Sequence, residues 1–313
     1  MMPAKIQNIT FDPYDLKAEF PALHNKSVCF LDSAASAQKP QAVLDAMMQL
    51  QQSHYANVHR GVYAFSQETT NQFEGARRTI AGFLNAPSDN EIIFTRNTTE
   101  AINLVAQSWG RANLTAGDEI ILTEMEHHAN IVPWHILRQE IGFTIKTVPV
   151  LPNGDIDLES YKALLSDKTR LVAFLQMSNA LGTILPAKEI TKLAKAYGAT
   201  VLVDASQSVV HMDVDVQEIG CDFLCFTGHK LYGPTGIGVL WGHEDILNAM
   251  PPYQGGGEMI ETVSFDAVSY KNAPARFEAG TPAFVEAVGL GAAINWLQAQ
   301  DMKALRAHEE SLL

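Results

Sequence analysis

The chain has 313 residues, of which 47% are hydrophobic and 18% charged, so it can bury a sizeable core and is too long for one small module. A formal net charge of −13 opposes general affinity for nucleic acid or an anionic membrane, and small molecules and proteins are the expected partners. Only three cysteines occur, Cys29, Cys221 and Cys225, with no CxxC pair or spaced cluster; no metal site is expected, and the usage fits a reducing compartment.

The first twenty residues carry no apolar core of signal-peptide length and no later run approaches a membrane span, so a soluble cytoplasmic protein is expected. Residues 13–24, "PYDLKAEFPALH", predict a short amphipathic helix that closes an N-terminal arm of residues 1–24. The apolar "VCFLD" that follows predicts a first strand, with Cys29 inside it. "PQAVLDAMMQLQQSHY" and "TTNQFEGARRTIAGFL" have helical spacing, with Pro40 near a helix start, and "ANVHRGVYAF" between them reads as an irregular connection.

Apolar strands and helices then alternate. "EIIFT", "DEIILTE", "FTIKTVPV", "TRLVAFLQM", "TVLVDAS", "FLCFTG" and "GIGVLWG" are the strands, and "TTEAINLVAQSWG", "ANIVPWHILRQEIG", "DLESYKALLS" and "AKEITKLAKAYG" the helices. This order predicts an α/β domain over residues 25–290 around a mostly parallel sheet, with ligands at the strand ends. A Gly/Pro-rich stretch, "MPPYQGGGEMIETVSF", follows Trp241. The chain then turns helical and reaches Leu313 in a pattern that is still apolar and has no Gly or Asn stop. Residues 291–313 are therefore expected to begin a smaller C-terminal domain.

Four places carry candidate chemistry. In "CDFLCFTGHKLYGPTGIG", Lys230 follows an apolar run and precedes Gly233, Gly236 and Gly238. A partly desolvated amine of this kind suits a Schiff-base lysine, and a lysine after a strand also serves as an ordinary surface residue. His229 before it and Leu231 after it do not match a P-loop. Asp204 ends an apolar strand, with Gln207 three residues on; such a carboxylate can bind a metal, cap a helix or pair with a protonated ring nitrogen. Asp204 and Lys230 on successive strands supply the two partners that a pyridoxal cofactor requires. Thr98 and Thr99 stand between a strand end and a helix start, where either an anion or a capping box is served. His127 and His128 are adjacent with no HExxH spacing, so metal binding is not expected, and His127 is either a ring-stacking imidazole or a loop histidine.

Taken together, "LDSAASAQKPQAV", "NVHRGVY", "TRNTTEAINLVA", "EMEHHANIVPW", "VDASQSV", "FTGHKLYGPTGIGVLWG", "GGGEMI" and "RFEAGTP" resemble the class V aminotransferase-like pyridoxal phosphate (PLP) enzymes, and among them the SufS-type cysteine desulfurases, also called selenocysteine lyases. The resemblance runs from about Phe20 to the end of the chain. It implies the large domain of PLP fold type I, a seven-stranded type of sheet flanked by helices, working as a homodimer. By it, Lys230 would carry the cofactor and shuttle the substrate Cα proton, Asp204 would pair with the ring nitrogen, Gln207 would bond the ring hydroxyl, and His127 would stack on the ring. Thr98, Thr99, Thr227 and His229 would hold the phosphate, and Thr281 would reach the phosphate of the neighbouring subunit. Asn179 would sit beside ring and substrate, and Ala34 and His59 would line the substrate side.

The implied reaction takes L-cysteine, or L-selenocysteine, to L-alanine, with the sulfur passing to an enzyme thiolate and then to an acceptor protein. The family's nucleophilic cysteine and its carboxylate-binding arginine belong to the smaller C-terminal domain, after the region where this sequence stops. Cys29, Cys221 and Cys225 are read as inert strand thiols. Other class V lyases of the kynureninase kind, and a catalytically dead PLP-binding dimer scaffold, share much of this pattern.

Overall fold

The structure is a computed structural model and describes residues 11–24 and 29–313. The helices in chain order are α1 (Pro13–Ala18), α2 (Gln41–Ser53), α3 (Ala64–Phe83), α4 (Thr98–Val105), α5 (Arg111–Asn113), α6 (Val132–Ile141), α7 (Leu158–Leu164), α8 (Ala187–Ala196), α9 (Ser208–His211), α10 (Val216–Ile219), α11 (Glu244–Ala249), α12 (Phe284–Gln298) and α13 (Met302–Leu312). The strands are β1 (Ile92–Thr95), β2 (Glu119–Thr123), β3 (Thr144–Val148), β4 (Thr169–Leu175), β5 (Thr200–Asp204), β6 (Phe223–Thr227), β7 (Gly238–Gly242), β8 (Ile260–Val263) and β9 (Val268–Tyr270).

Seven strands form one sheet in the order β1-β7-β6-β5-β4-β2-β3. β3, β2, β4, β5 and β6 pair in parallel, while β7 runs antiparallel to both β6 and β1. β1 therefore points the same way as the parallel set. Every residue of β1, β5 from Val201, β6 and β7 is buried, as expected of strands covered on both faces. Successive residues alternate between two cores. Val203, Phe226 and Trp241 face α3, α8 and α12 with Phe73, Ile80, Ile190 and Leu290, whereas Leu202, Cys225 and Leu240 face α4 and α6 with Ile102, Val105, Trp134 and Leu137. Helices thus cover both sides of the sheet, the three-layer α/β arrangement expected from the sequence.

The chain leaves the sheet centre in opposite directions. β2 leads outward to β3, and β4 leads back through β5 and β6 to β7. The reversal opens a crevice beyond the carboxyl ends of β2 and β4, the place where sheets of this kind bind ligands.

Two expectations are revised. "VCFLD" forms no strand over its described residues 29–32; Cys29 is exposed and Leu31 is 89% exposed, because no neighbouring strand edge receives them. Residues 13–24 form α1 and then a 3₁₀ turn at Pro21–Leu23 rather than one helix, since Pro21 cannot donate to a continuing helix. Residue 290 lies inside α12, whose residues Phe284, Val285, Ala287, Leu290, Ala293, Ile294, Trp296 and Leu297 are buried and which packs against α2 and α3. The Gly/Pro-rich stretch also holds the small β8–β9 hairpin.

Candidate active site

Five strand ends converge on one cavity of about 490 Å³ lined by Asp32, Ala34, Thr98, Thr99, His127, Asn179, Asp204, Ser206, Gln207, Thr227, His229 and Lys230, among others. Asp204 is the last residue of β5 and Thr227 the last of β6; Lys230 follows Thr227 in a turn, His127 follows β2, and Thr98 opens the helix after β1. Ten of the twelve residues singled out from the sequence meet there.

Glycine makes two of these approaches possible. A Cβ on Gly238, at the start of β7, would stand 2.6 Å from Asn97 Cα, so the strand and the N-terminus of α4 can touch only at a glycine. A Cβ on Gly228 would stand 2.7 Å from Ile237 Cγ2 and 3.1 Å from the Ile237 and Pro234 carbonyl oxygens, which keeps the turn carrying His229 and Lys230 tight against the β6–β7 connection.

The helix cap of α4 is filled by Asn97, not Thr98: the Asn97 side chain accepts the Glu100 N–H at 2.9 Å, and the Glu100 carboxylate accepts the Arg96 N–H at 2.6 Å. Neither Thr98 nor Thr99 is taken up by the cap, and both stand at a helix end whose N–H groups and dipole favour an anion. Thr98 Oγ1 lies 2.7 Å from Ser206 Oγ, which fixes its rotamer. Thr227 is 3% exposed, and its Oγ1 has no hydrogen-bond partner among the described residues. A buried hydroxyl without a partner is rare and marks a place where a polar ligand atom belongs.

Desolvation by burial pulls the Lys230 amine below its ordinary range, with the Asp204 charge acting the other way. Asp204 is 5% exposed and accepts the Ser206 N–H at 2.9 Å. Burial, then the Lys230 charge, lowers His127, and Asp204 partly offsets this. His127 Nδ1 accepts the Ala129 N–H at 3.1 Å, so the neutral imidazole carries its proton on Nε2. His229 is likewise lowered by burial and then by Lys230 and Lys39.

The 32–39 loop forms one wall. The Ala37 N–H donates to the His229 carbonyl at 3.0 Å, Lys39 Nζ donates to the same oxygen at 3.3 Å, and Gln207 Nε2 donates to the Ala34 carbonyl at 2.9 Å. Sequence reading gives no role to Asp32, Ser206 or Lys39, although all three lie within stretches that carry the resemblance.

Two expected residues lie elsewhere. His59 faces a second cavity with Arg77, Glu258 and Glu278, where its Nε2 lies 3.2 Å from Glu74 and its ring packs edge-on against Phe73. Its place ahead of α3 turns it from the Lys230 cavity of its own chain. Thr281 is exposed and lines a third recess with Arg96 and Tyr253.

A family model described as aminotransferase class-V matches residues 29–313. The chain belongs to the aminotransferase class-V family. Among curated relatives it is 50% identical over 303 residues to a cysteine desulfurase of Yersinia pestis (strain Pestoides F), covering 95% of this chain and 75% of that protein. It is 49% identical over 309 residues to a cysteine desulfurase of Synechococcus elongatus, covering 97% of this chain. The chain spans about half the length of that second relative, 49%.

Solved structures agree. The cysteine desulfurase CsdA of Escherichia coli superposes with a TM-score of 0.90 at 42% identity, over 97% of this chain and 76% of that one. The apo cysteine desulfurase of Thermococcus onnurineus NA1 gives 0.92 at 37% identity, over 97% and 75%. A C-DES mutant with glycine covalently linked to its PLP cofactor gives 0.81 at 26% identity, over 95% and 77%.

Proposed function

We propose that this chain is the PLP-binding part of a cysteine desulfurase that takes sulfur from L-cysteine and leaves L-alanine. The observation that carries the reading is the convergence of the desolvated Lys230 amine, the Asp204 carboxyl and the unpartnered Thr227 hydroxyl in one cavity at the sheet's carboxyl edge. Those donors fit a phosphate-bearing pyridine aldehyde. Thr98, Thr99, Thr227 and His229 would hold the phosphate, Asp204 the ring nitrogen, Gln207 the ring hydroxyl through its remaining N–H, and His127 the ring face.

When bound, PLP supplies an aldehyde that condenses with amines and a ring that accepts the electron pair left by a departing Cα proton. The chain's own residues set the conditions for that chemistry. Desolvation keeps a larger fraction of Lys230 as free amine at neutral pH, able to attack a carbonyl carbon and later to carry a proton. A carboxylate at Asp204 favours a protonated nitrogen opposite it. His127 presents Nε2–H to the cavity, and Asn179 and Ala34 bound the side where an amino acid would enter.

Breaking the substrate C–S bond leaves its electron pair on carbon, which takes up a proton, while sulfur departs on an enzyme thiolate as a persulfide. Cys221 and Cys225 are poor candidates for that thiolate, because burial pushes both thiols well up from their ordinary range. Cys29 is exposed but does not line the Lys230 cavity. We propose that the thiolate and the arginine that grips the substrate carboxylate come from sequence beyond residue 313, a reading supported by the greater length of the relatives.

The same reading includes a cytoplasmic homodimer that also accepts L-selenocysteine and passes sulfur to an acceptor protein, with Thr281 serving the phosphate of the partner's site. Its support is the position of Thr281 outside the cavity of its own chain. Among the described residues no helix is long and apolar enough to cross a membrane.

The test is to load the chain with PLP and follow the bound-cofactor spectrum on adding L-cysteine, then to measure sulfide and alanine in the presence of dithiothreitol for this chain and for a form extended through the downstream sequence. A cysteine-dependent spectral change in both, with equimolar sulfide and alanine from the extended form, is expected. No response to cysteine, with a response to a different amino acid, would assign another class V lyase.

A further inference from the structure

One buried carboxyl beneath the cavity has no part in the assignments above. Glu126, in the loop three residues after β2 and next to His127, is 7% exposed. Its Oε1 lies 2.6 Å from Thr123 Oγ1 and accepts the Leu175 N–H at 3.1 Å, and its Oε2 accepts Asn130 Nδ2 at 2.7 Å. Asn130, fully buried, in turn accepts the Trp134 indole N–H at 3.0 Å on Oδ1. That bond fixes the orientation of the Asn130 amide, because only its NH₂ can then face Glu126.

The network pins three elements at one point: the end of β2, the end of β4, where Leu175 lines the cavity, and the 3₁₀ turn His128–Asn130 that starts α6. The same turn is closed by the Asn130 N–H on the His127 carbonyl at 2.8 Å, and it presents the Ala129 N–H to His127 Nδ1. We infer that Glu126, acting through Asn130, is a positioning residue for His127: it fixes the turn that holds the imidazole in its Nε2–H tautomer over the cavity. Burial pushes the Glu126 carboxyl up to about 8, with repulsion from Asp204 adding to the rise and the bonds from Thr123, Asn130 and Leu175 opposing it. In the uncharged form that burial favours, the carboxyl can donate to Thr123 Oγ1 while still accepting from Asn130 and Leu175, so it can fix geometry without placing a full negative charge near Asp204, His127 and Lys230. Fully satisfied buried networks of this kind specify a unique arrangement.

The donor and acceptor pattern supplies the test. Glu126→Gln keeps the shape but places an NH₂ against either the Asn130 NH₂ or the Leu175 N–H, both donors. Adding Asn130→Asp gives an oxygen where the Asn130 NH₂ stood and leaves the other oxygen for the Trp134 indole. Histidine ¹⁵N NMR of the PLP-free chain, with His127 assigned through His127→Gln, reads the tautomer directly; PLP titration reads affinity.

The inference rests on the PLP reading only for the second measurement. Expected are one Nε2–H tautomer in the parent chain, mixed tautomers and about tenfold weaker PLP binding in Glu126→Gln, and recovery of both in the double variant. Thr123→Val, which removes one hydroxyl, should shift the same signals less, and it decides the matter if Glu126→Gln does not fold. Unchanged His127 signals in Glu126→Gln or Thr123→Val, a lowered melting temperature without any tautomer change, or a double variant no better than the single would overturn the inference. A parent chain that shows the tautomer pattern yet fails to bind PLP would count against the proposed function alone.

Discussion

The Arg77 guanidinium grips the Glu278 carboxylate through two nitrogens, Nη1 to Oε1 at 2.8 Å and Nη2 to Oε2 at 2.9 Å. Arg77 also donates to the Ile92 carbonyl at 2.7 Å and to Glu74 at 2.8 Å, and its guanidinium carbon lies 4.6 Å from the centroid of the Phe94 ring. Glu278 further accepts the Phe94 N–H at 2.7 Å. This knot binds the segment leading to Thr281 onto α3 and β1. Removing one partner of a buried pair leaves the other uncompensated, so Arg77→Met should lower stability by about 3–5 kcal/mol. Urea unfolding measures this, and a change below about 1 kcal/mol would mean that the pair is not as buried as described.

Acid should loosen the same region through Glu74. Burial alone would raise that carboxyl, but hydrogen bonds from His59 and Arg77 outweigh it and hold it down at about 2, against an ordinary value of 4.5. A depressed folded-state pKa contributes stability that is fully present above the unfolded value and lost as pH falls through the folded value. The loss should therefore fall between about pH 4.5 and pH 2. Unfolding free energies across that window should drop more steeply for the parent chain than for Glu74→Gln; parallel curves would refute the assignment.

Gly238→Ala tests the seat proposed for the phosphate. The added Cβ must displace Asn97 and with it the N-terminus of α4, while leaving Lys230 and Asp204 chemically intact. PLP affinity should fall by about tenfold or more, roughly 1.4 kcal/mol. Ser206→Ala, which frees only the Thr98 rotamer, should cost less. Equal affinity in Gly238→Ala and parent would mean that the helix end does not seat the anion.

Asp204→Asn should separate binding from catalysis. The carboxylate matters most when the ring holds extra electron density, so hydrogen–deuterium exchange at the Cα of L-alanine should slow on the order of a hundredfold, ~2.7 kcal/mol. PLP affinity should change far less. Comparable small losses in both, by NMR exchange and by titration, would make Asp204 merely structural.

Most of the sheet was legible because its strands are short runs bounded by turn residues, and the central ones, such as "VLVDAS" and "FLCFT", are apolar and buried on both faces. The run around Cys29 looks the same locally, yet forms no strand in residues 29–32 because a strand exists only where a neighbour pairs with it. From the sequence, Thr98 and Thr99 are the candidates for the cap, and only the backbone shows Asn97 taking it. Glu126 was invisible as a positioning group, since its meaning depends on Leu175, 49 residues away. His59 was carried by the family resemblance to a cavity it does not line within its own chain.

The central claim is that Lys230 is the PLP lysine, and covalent labelling reads it most directly. The chain is incubated with PLP at neutral pH, reduced with borohydride, digested and mapped by mass spectrometry. The label is expected on the peptide containing Lys230 and absent from Lys230→Ala, whose protein should stay colourless after removal of free cofactor. Label on Lys39 or another lysine, or a yellow Lys230→Ala protein carrying the same adduct, would contradict the account.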